Sequence, residues 1–298
     1  MFIYYLLIML SVVLFGGSFG LKNVYRAKRG SGLKISAESM CIGGIAGLII
    51  MFFINGLVFE FTPFTMLMAS LSVLNSLAFS FCSFKALDYI NLSLFSVFTM
   101  LGGMVLPFLQ GLIFYNEKLT LAKIVCIVFI CLALACTLKR GEKKNGTIFY
   151  IGIFILNGMS GVISKLFTSS DFPKTSPAGY SILSSMVGIV ASAVLWLVLS
   201  LGEKKQNTAA YPAPSRTVLL QSYGIGALSG AINKVANFVL VFALMYVDAS
   251  VQYPMVTGGT MIVSTLLCYF GNKKPSKMEL ISVVLSFIGM LALFAIPI

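Results

Sequence analysis

The sequence predicts an all-α integral membrane fold, with ten transmembrane helices arranged as two inverted five-helix repeats. Three observations predict it. The 298 residues are 58% hydrophobic and only 10% charged, whereas a soluble domain is about 45–50% apolar and about 25% charged. The apolar residues run in unbroken stretches of about 20, the length a helix needs to cross a bilayer, without the period-two alternation of barrel strands. A single shift of 157 positions also lays the second half of the chain over the first.

The first span, 2–21, begins Met1-Phe2-Ile3-Tyr4 with no basic segment, and its positive charges follow it. That pattern predicts a retained helix and no cleaved leader. The second span, 38–58, is continuously apolar. The third, 64–86, carries Ser72, Asn75, Ser76, Phe79 and Ser83 at three- and four-residue steps, one small and polar helix face. The fourth, 92–115, holds Pro107, and the fifth, 119–138, follows the polar turn Asn116-Glu117-Lys118. The sixth, 147–167, repeats a polar face with Asn157, Ser160, Gly161 and Lys165. After the seventh, 178–201, the stretch Gly202 to Arg216 with Tyr211-Pro212-Ala213-Pro214 predicts a flexible loop. The eighth, 219–245, sets Gly226, Gly230, Asn233, Lys234 and Asn237 on one face. The ninth, 250–270, reads Gln252-Tyr253-Pro254 and then Thr257-Gly258-Gly259-Thr260, and the tenth is 278–297.

The repeat pairs Ser72 with Ser229, Ser93 with Ser250, Gly102 with Gly259 and Met104 with Met261. It predicts two units, 1–140 and 146–298. Five helices per unit is an odd number, so the second unit enters the membrane upside down. That is the architecture of many alternating-access carriers. Loop charge points the same way. Lys22, Arg26, Lys28, Arg29 and Lys34, then Lys139 to Lys144, Lys204 to Arg216 and Lys273 to Lys277 all fall on one face. That face is expected in the cytoplasm, with both termini outside the plasma membrane.

The net charge of +12 is explained by these loops and gives no reason to expect nucleic acid. Histidine is absent, which removes imidazole catalysis and imidazole metal sites. The six cysteines, Cys41, Cys82, Cys126, Cys131, Cys136 and Cys268, lie in apolar stretches at no metal or redox spacing. No ATP-binding loop and no catalytic constellation is visible. The chain is expected to be no enzyme and to need no metal or cofactor. Its expected partners are a small-molecule substrate and the lipid bilayer, and a second copy of the chain is a candidate.

Several motifs resemble those of the drug/metabolite transporter superfamily, in its EamA-like ten-helix branch. They are Phe15-Gly16-Gly17-Ser18-Phe19-Gly20-Leu21-Lys22, then Ala86-Leu87-Asp88-Tyr89-Ile90-Asn91-Leu92-Ser93 followed by Pro107, then Asn116-Glu117-Lys118-Leu119-Thr120. Asn116 stands where the family has glycine, and the second copy, Asn272-Lys273-Lys274-Pro275-Ser276, lacks the glutamate. The resemblance implies a secondary transporter whose cavity is lined by the first, third, fourth, sixth, eighth and ninth helices.

Lys234 is the most pointed residue. A lysine at mid-helix costs about 2.5–3.5 kcal/mol on insertion scales. It reads as a cavity-facing cation for an anionic or zwitterionic substrate, or as a group that takes and releases a proton, against a snorkelling lysine. Asn233, Asn237, Asn75, Ser72, Phe79, Asn157, Ser160, Ser18 and Tyr253 complete the expected substrate-binding set. Pro107, Pro254, Gly258 and Gly259 are expected hinges, against ordinary kinks and close packing. Asp88, Asp248 and Glu117 read as acids at helix N-termini. No carboxylate lies deep in any predicted span, which disfavours a cation/proton antiporter. The expected function is export or import of a small neutral, zwitterionic or anionic metabolite. Multidrug efflux through a cavity of Phe79, Phe95, Met100 and Met104 is the alternative. A membrane-embedded enzyme or a non-transporting membrane subunit is the alternative of another class.

Overall fold

The computed structural model describes residues 2–30, 32–89, 92–137, 147–205, 215–270 and 277–295. Among them ten helices follow in order. They are α1 (Phe2–Arg29), α2 (Leu33–Ile54), α3 (Pro63–Tyr89), α4 (Leu92–Phe114), α5 (Leu121–Thr137), α6 (Thr147–Ser169), α7 (Pro177–Lys205), α8 (Arg216–Ala243), α9 (Ala249–Phe270) and α10 (Lys277–Ala295). Six of the described helical segments are long and apolar enough to cross a membrane. Large apolar side chains such as Ile49, Phe53, Val190, Val194 and Leu197 stand exposed along α2 and α7. A bilayer would cover them where water would not. The chain is a multi-pass, all-helical membrane protein.

Helix ends follow local chemistry. The first helix runs to Arg29, past the apolar stretch, because Tyr25 remains buried against Gly226 of α8. It stops at Gly30, which takes φ 98° and donates its N–H to the Arg26 carbonyl at 2.8 Å. The second helix stops at Ile54, four residues before the expected end. There Asn55 and Gly56, with φ 64° at the glycine, turn the chain, and the Leu57 N–H reaches back to the Phe52 carbonyl at 2.8 Å. The expected loop Gly202 to Arg216 is shorter than the sequence suggested. α7 continues to Lys205 and α8 opens at Arg216, where Ser215 accepts a hydrogen bond from the Val218 N–H. Residues 206–214, including Tyr211 to Pro214, lie outside the described residues, as do the side chains of Lys85, Asp88, Phe95, Met100 and Cys268. Cys41, Cys82, Cys126, Cys131 and Cys136 are free thiols.

The helices pack in a defined set of pairs. α1 lies on α8 and α9, α6 on α3 and α4, α2 on α7 and α8, α3 on α7, and α5 on α10. Glycines bring several of these backbones close. A side chain at Gly102 would collide with the Phe154 carbonyl of α6, and one at Gly230 would collide with Gly43 of α2. This is small-residue packing of the kind lipid-depth helices use.

The two ends of the bundle differ. At the basic end, Arg29 forms a two-pronged ion pair with Glu38 at 2.7 and 2.8 Å, and Lys28 donates to Gln221 at 2.9 Å. Lys34 lies over the Trp196 ring. At the other end the connections after α2, α4, α6 and α8 meet. We call it the capped end, because two carboxylates there cap helices distant in sequence. Buried residues of α6 to α9 gather toward it, including Ile163, Lys165 and Phe167, Ala178 to Ser185, Val239, Val241 and Ala243, and Gln252 to Met255.

Candidate functional site

Lys234 lies on α8 with its stem against Gly47 of α2, and its Nζ donates to Ser184 Oγ of α7 at 3.1 Å. It therefore sits where α2, α7 and α8 meet. Among the described residues it forms no ion pair. The stripe it belongs to divides. Gly226 and Gly230 serve packing, meeting Tyr25, Ile42 and Gly43. Asn237 donates to the Asn233 carbonyl and side-chain oxygen at 2.9 and 3.2 Å, so these two amides form one half-buried polar step.

The other expected residues spread over separate contacts. Ser18 and Ser229 bond reciprocally, each hydroxyl reaching the other residue's carbonyl, at 3.2 and 3.1 Å, and clasp α1 to α8. Asn75 donates to the Leu156 carbonyl at 2.8 Å, and Asn157 to the Thr99 carbonyl at 2.6 Å. Both amides tie α6 to its neighbours. Ser72 lies beside the Tyr180 hydroxyl, and its carbonyl accepts from Ser76. Ser160 is exposed, and the Phe79 carbonyl accepts from Ser83. Near Asn75, an apolar groove of about 440 Å³ opens between α3 and α6, lined by Met68, Leu71, Leu74, Met159 and Leu166 among others.

Tyr253 belongs to a different cluster. Its hydroxyl donates to the Gly161 carbonyl at 2.9 Å, and its ring and Pro107 close over Gly161. Pro107 and Pro254 both lie inside helices and are buried, as are Gly258 and Gly259. A side chain at Gly259 would press on Val12 of α1, so that glycine has a packing duty. Four polar groups that the sequence did not single out as a set are buried on α4 and α9 with an atom lacking a protein hydrogen bond. They are Thr99 Oγ1, Gln110 Oε1, Gln252 Oε1 and Thr260 Oγ1. Buried polar atoms are ordinarily satisfied. Only their unspent bonding capacity, which sequence does not display, marks them.

The capped end holds the densest electrostatics. The Glu117 carboxylate accepts from the Ala249 and Ser250 N–H groups at 3.0 and 2.9 Å and from the Ser250 hydroxyl. It also pairs with Lys165 Nζ at 3.0 Å, and Lys165 lies over the Tyr115 ring. Glu117 thus caps α9, and not the helix that follows it in sequence. Burial alone would raise its titration range. The Ser250 and Lys165 interactions outweigh that and hold the carboxyl below the usual range. Asp248 instead pairs with Lys123 at 3.1 Å. Glu60 accepts from the Ser176 N–H and hydroxyl, both at 2.6 Å, at the start of α7, and these bonds likewise outweigh burial and lower its range. Asn116 takes φ 51°, the left-handed conformation that favours glycine and tolerates asparagine.

No family model matches the chain, and no curated protein matches it. Among solved structures 29 chains match. One, described as "Crystal structure of protein", superposes with a TM-score of 0.70 at 16% identity, covering 97% of this chain and 99% of that one. The ten-helix arrangement therefore recurs in an experimental structure. At that identity the likeness concerns the fold alone.

Proposed function

We propose that the protein is a secondary transporter of a small organic metabolite, built as two inverted repeats and akin to the EamA-like branch of the drug/metabolite transporter superfamily. One observation carries the reading. Exchanging α1 with α6, α2 with α7, α3 with α8, α4 with α9 and α5 with α10 turns the main helix pairs into one another. The α1–α8 pair becomes α6–α3, α1–α9 becomes α6–α4, and α2–α8 becomes α7–α3. The α2–α7, α4–α9 and α5–α10 pairs map onto themselves. A bundle with this exchange relation has two equivalent ways to pack, one open at each end, as alternating access requires.

Lys234 supports the substrate class. It is a cation in the interior of a membrane bundle whose nearest polar partner is the neutral Ser184 hydroxyl. Such a group favours an anionic or zwitterionic ligand over a cation. Asn233 and Asn237 lie within a turn of it, and the unsatisfied polar atoms of α4 and α9 offer further hydrogen-bonding capacity. Multidrug efflux gains support only from the apolar α3–α6 groove, which is open and offers one amide.

The test is counterflow in proteoliposomes, preceded by a thermal-stabilisation screen across amino acids, organic anions, sugars and cationic dyes. The expected result is stabilisation and counterflow by one anionic, zwitterionic or neutral class. Lys234→Met should then lower uptake of a charged substrate about tenfold or more, the cost of losing a charged hydrogen bond, with the fold intact. A response to lipophilic cations alone would sink the substrate assignment.

A further inference from the structure

Resting on the carrier reading, we propose that Glu117 is the latch of the capped end: its carboxylate ties the first half of the chain to α6 and α9 of the second, and its release is the step that opens that end.

The latch is built and not incidental. Glu117 and Lys165 side chains are only 5% and 9% exposed, so their attraction is poorly screened. Gly111 makes room for the carboxylate, because a side chain there would collide with it, and the Gly111 carbonyl accepts the Glu117 N–H at 3.1 Å. The left-handed turn at Asn116 directs the chain into this position. The carboxylate then accepts both N–H groups that open α9, at the positive end of that helix's dipole. Three elements, the α4–α5 connection, α6 and α9, meet at one charged group. The neighbouring cross-half pair, Lys123 with Asp248, has an aspartate 55% exposed and contributes little by comparison.

In sequence, the second repeat carries no acid at the equivalent position. The offset that sets Ser93 on Ser250 sets Lys274 on Glu117. Lys274 lies outside the described residues. As a residue type, lysine has no acceptor for helix N–H groups. The two repeats are therefore unequal in sequence at this position. The resting protein is held closed at the capped end, in keeping with the burial that gathers there.

Hydrogen exchange of the full-length protein in lipid nanodiscs, read by mass spectrometry, tests this. Glu117→Gln and Lys165→Met should each speed exchange about tenfold in peptides covering 161–180 and 244–256, the factor for losing a charge-assisted hydrogen bond. Protection in α2 and α5 should not change. Asp248→Asn should stay within about threefold of wild type at the same peptides. Unchanged exchange at both peptides in Glu117→Gln would overturn the latch, and so would equal acceleration in every helix. Should Glu117→Gln not fold, Ser250→Ala removes one hydrogen bond and keeps the ion pair. A smaller acceleration confined to those peptides supports the latch, and none refutes it. Counterflow separates the two readings. Normal counterflow with unmoved exchange removes the latch alone, and accelerated exchange in a protein without counterflow for any substrate removes the carrier.

Discussion

Lys234, inside α8, and Glu117, in the α4–α5 connection, meet the cost of a buried charge in different ways. A charge buried alone is expensive, and a charge with ordered partners is held in place by them. Among the described residues Glu117 meets four donor groups on three residues, and Lys234 meets one hydroxyl. The first is therefore held in place by its partners, and the second, on the carrier proposal, is the charge left to meet a ligand. The carboxylates also set an acid limit. Glu60 and Glu117 titrate below the usual range in the folded protein. The stability they contribute is fully present above the unfolded carboxylate value of about 4.3, and is lost as pH falls through their lower folded values. Thermal unfolding in detergent across that window should show a decline, and Glu60→Gln with Glu117→Gln should flatten it. An unaltered slope in the double variant would refute this assignment.

Among the helices, glycines decide how closely neighbours approach. Gly102 of α4 faces the Phe154 carbonyl of α6, whereas Gly224 of α8 faces open space. Gly102→Val should therefore destabilise by about 1–3 kcal/mol through overpacking and disturb the α4–α6 contact. Gly224→Ala should stabilise by about 0.5–1 kcal/mol, because a helical glycine carries only an entropic cost there. Melting temperatures of the two variants in one detergent check both signs. α4 and α9 have a further character. Each holds a buried proline, and together they hold four polar atoms without protein partners. Helices with broken backbone ladders and spare polar capacity suit a changing contact better than a static one.

For the molecule as a whole, charge and packing are polarised along one axis. Lysines and arginines crowd one end, with carboxylate caps and buried side chains at the other. From the positive-inside rule we propose that the basic end faces the cytoplasm and both termini lie outside. Alkaline phosphatase fused to the C-terminus should be active, and a fluorescent protein fused there should stay dark. The opposite pair of results would turn the molecule over and put the Glu117 latch on the cytoplasmic side.

Sequence by itself determined the membrane character, the ten helices and most of their ends, because apolar length and helix-ending residues act within a few turns of chain. It also pointed to Lys234, since a lysine among leucines is a local anomaly. Several predicted site residues were legible only as polar groups at helical spacing. Tertiary structure alone decided that Ser18, Asn75 and Asn157 spend their hydrogen bonds on neighbouring helices. It also decided that Glu117 caps a helix more than 130 residues away, at a separation of 132 to Ala249. The physical reason is that a polar side chain's partner is set by which helix lies across from it. That is a property of packing between distant segments, which no local pattern encodes.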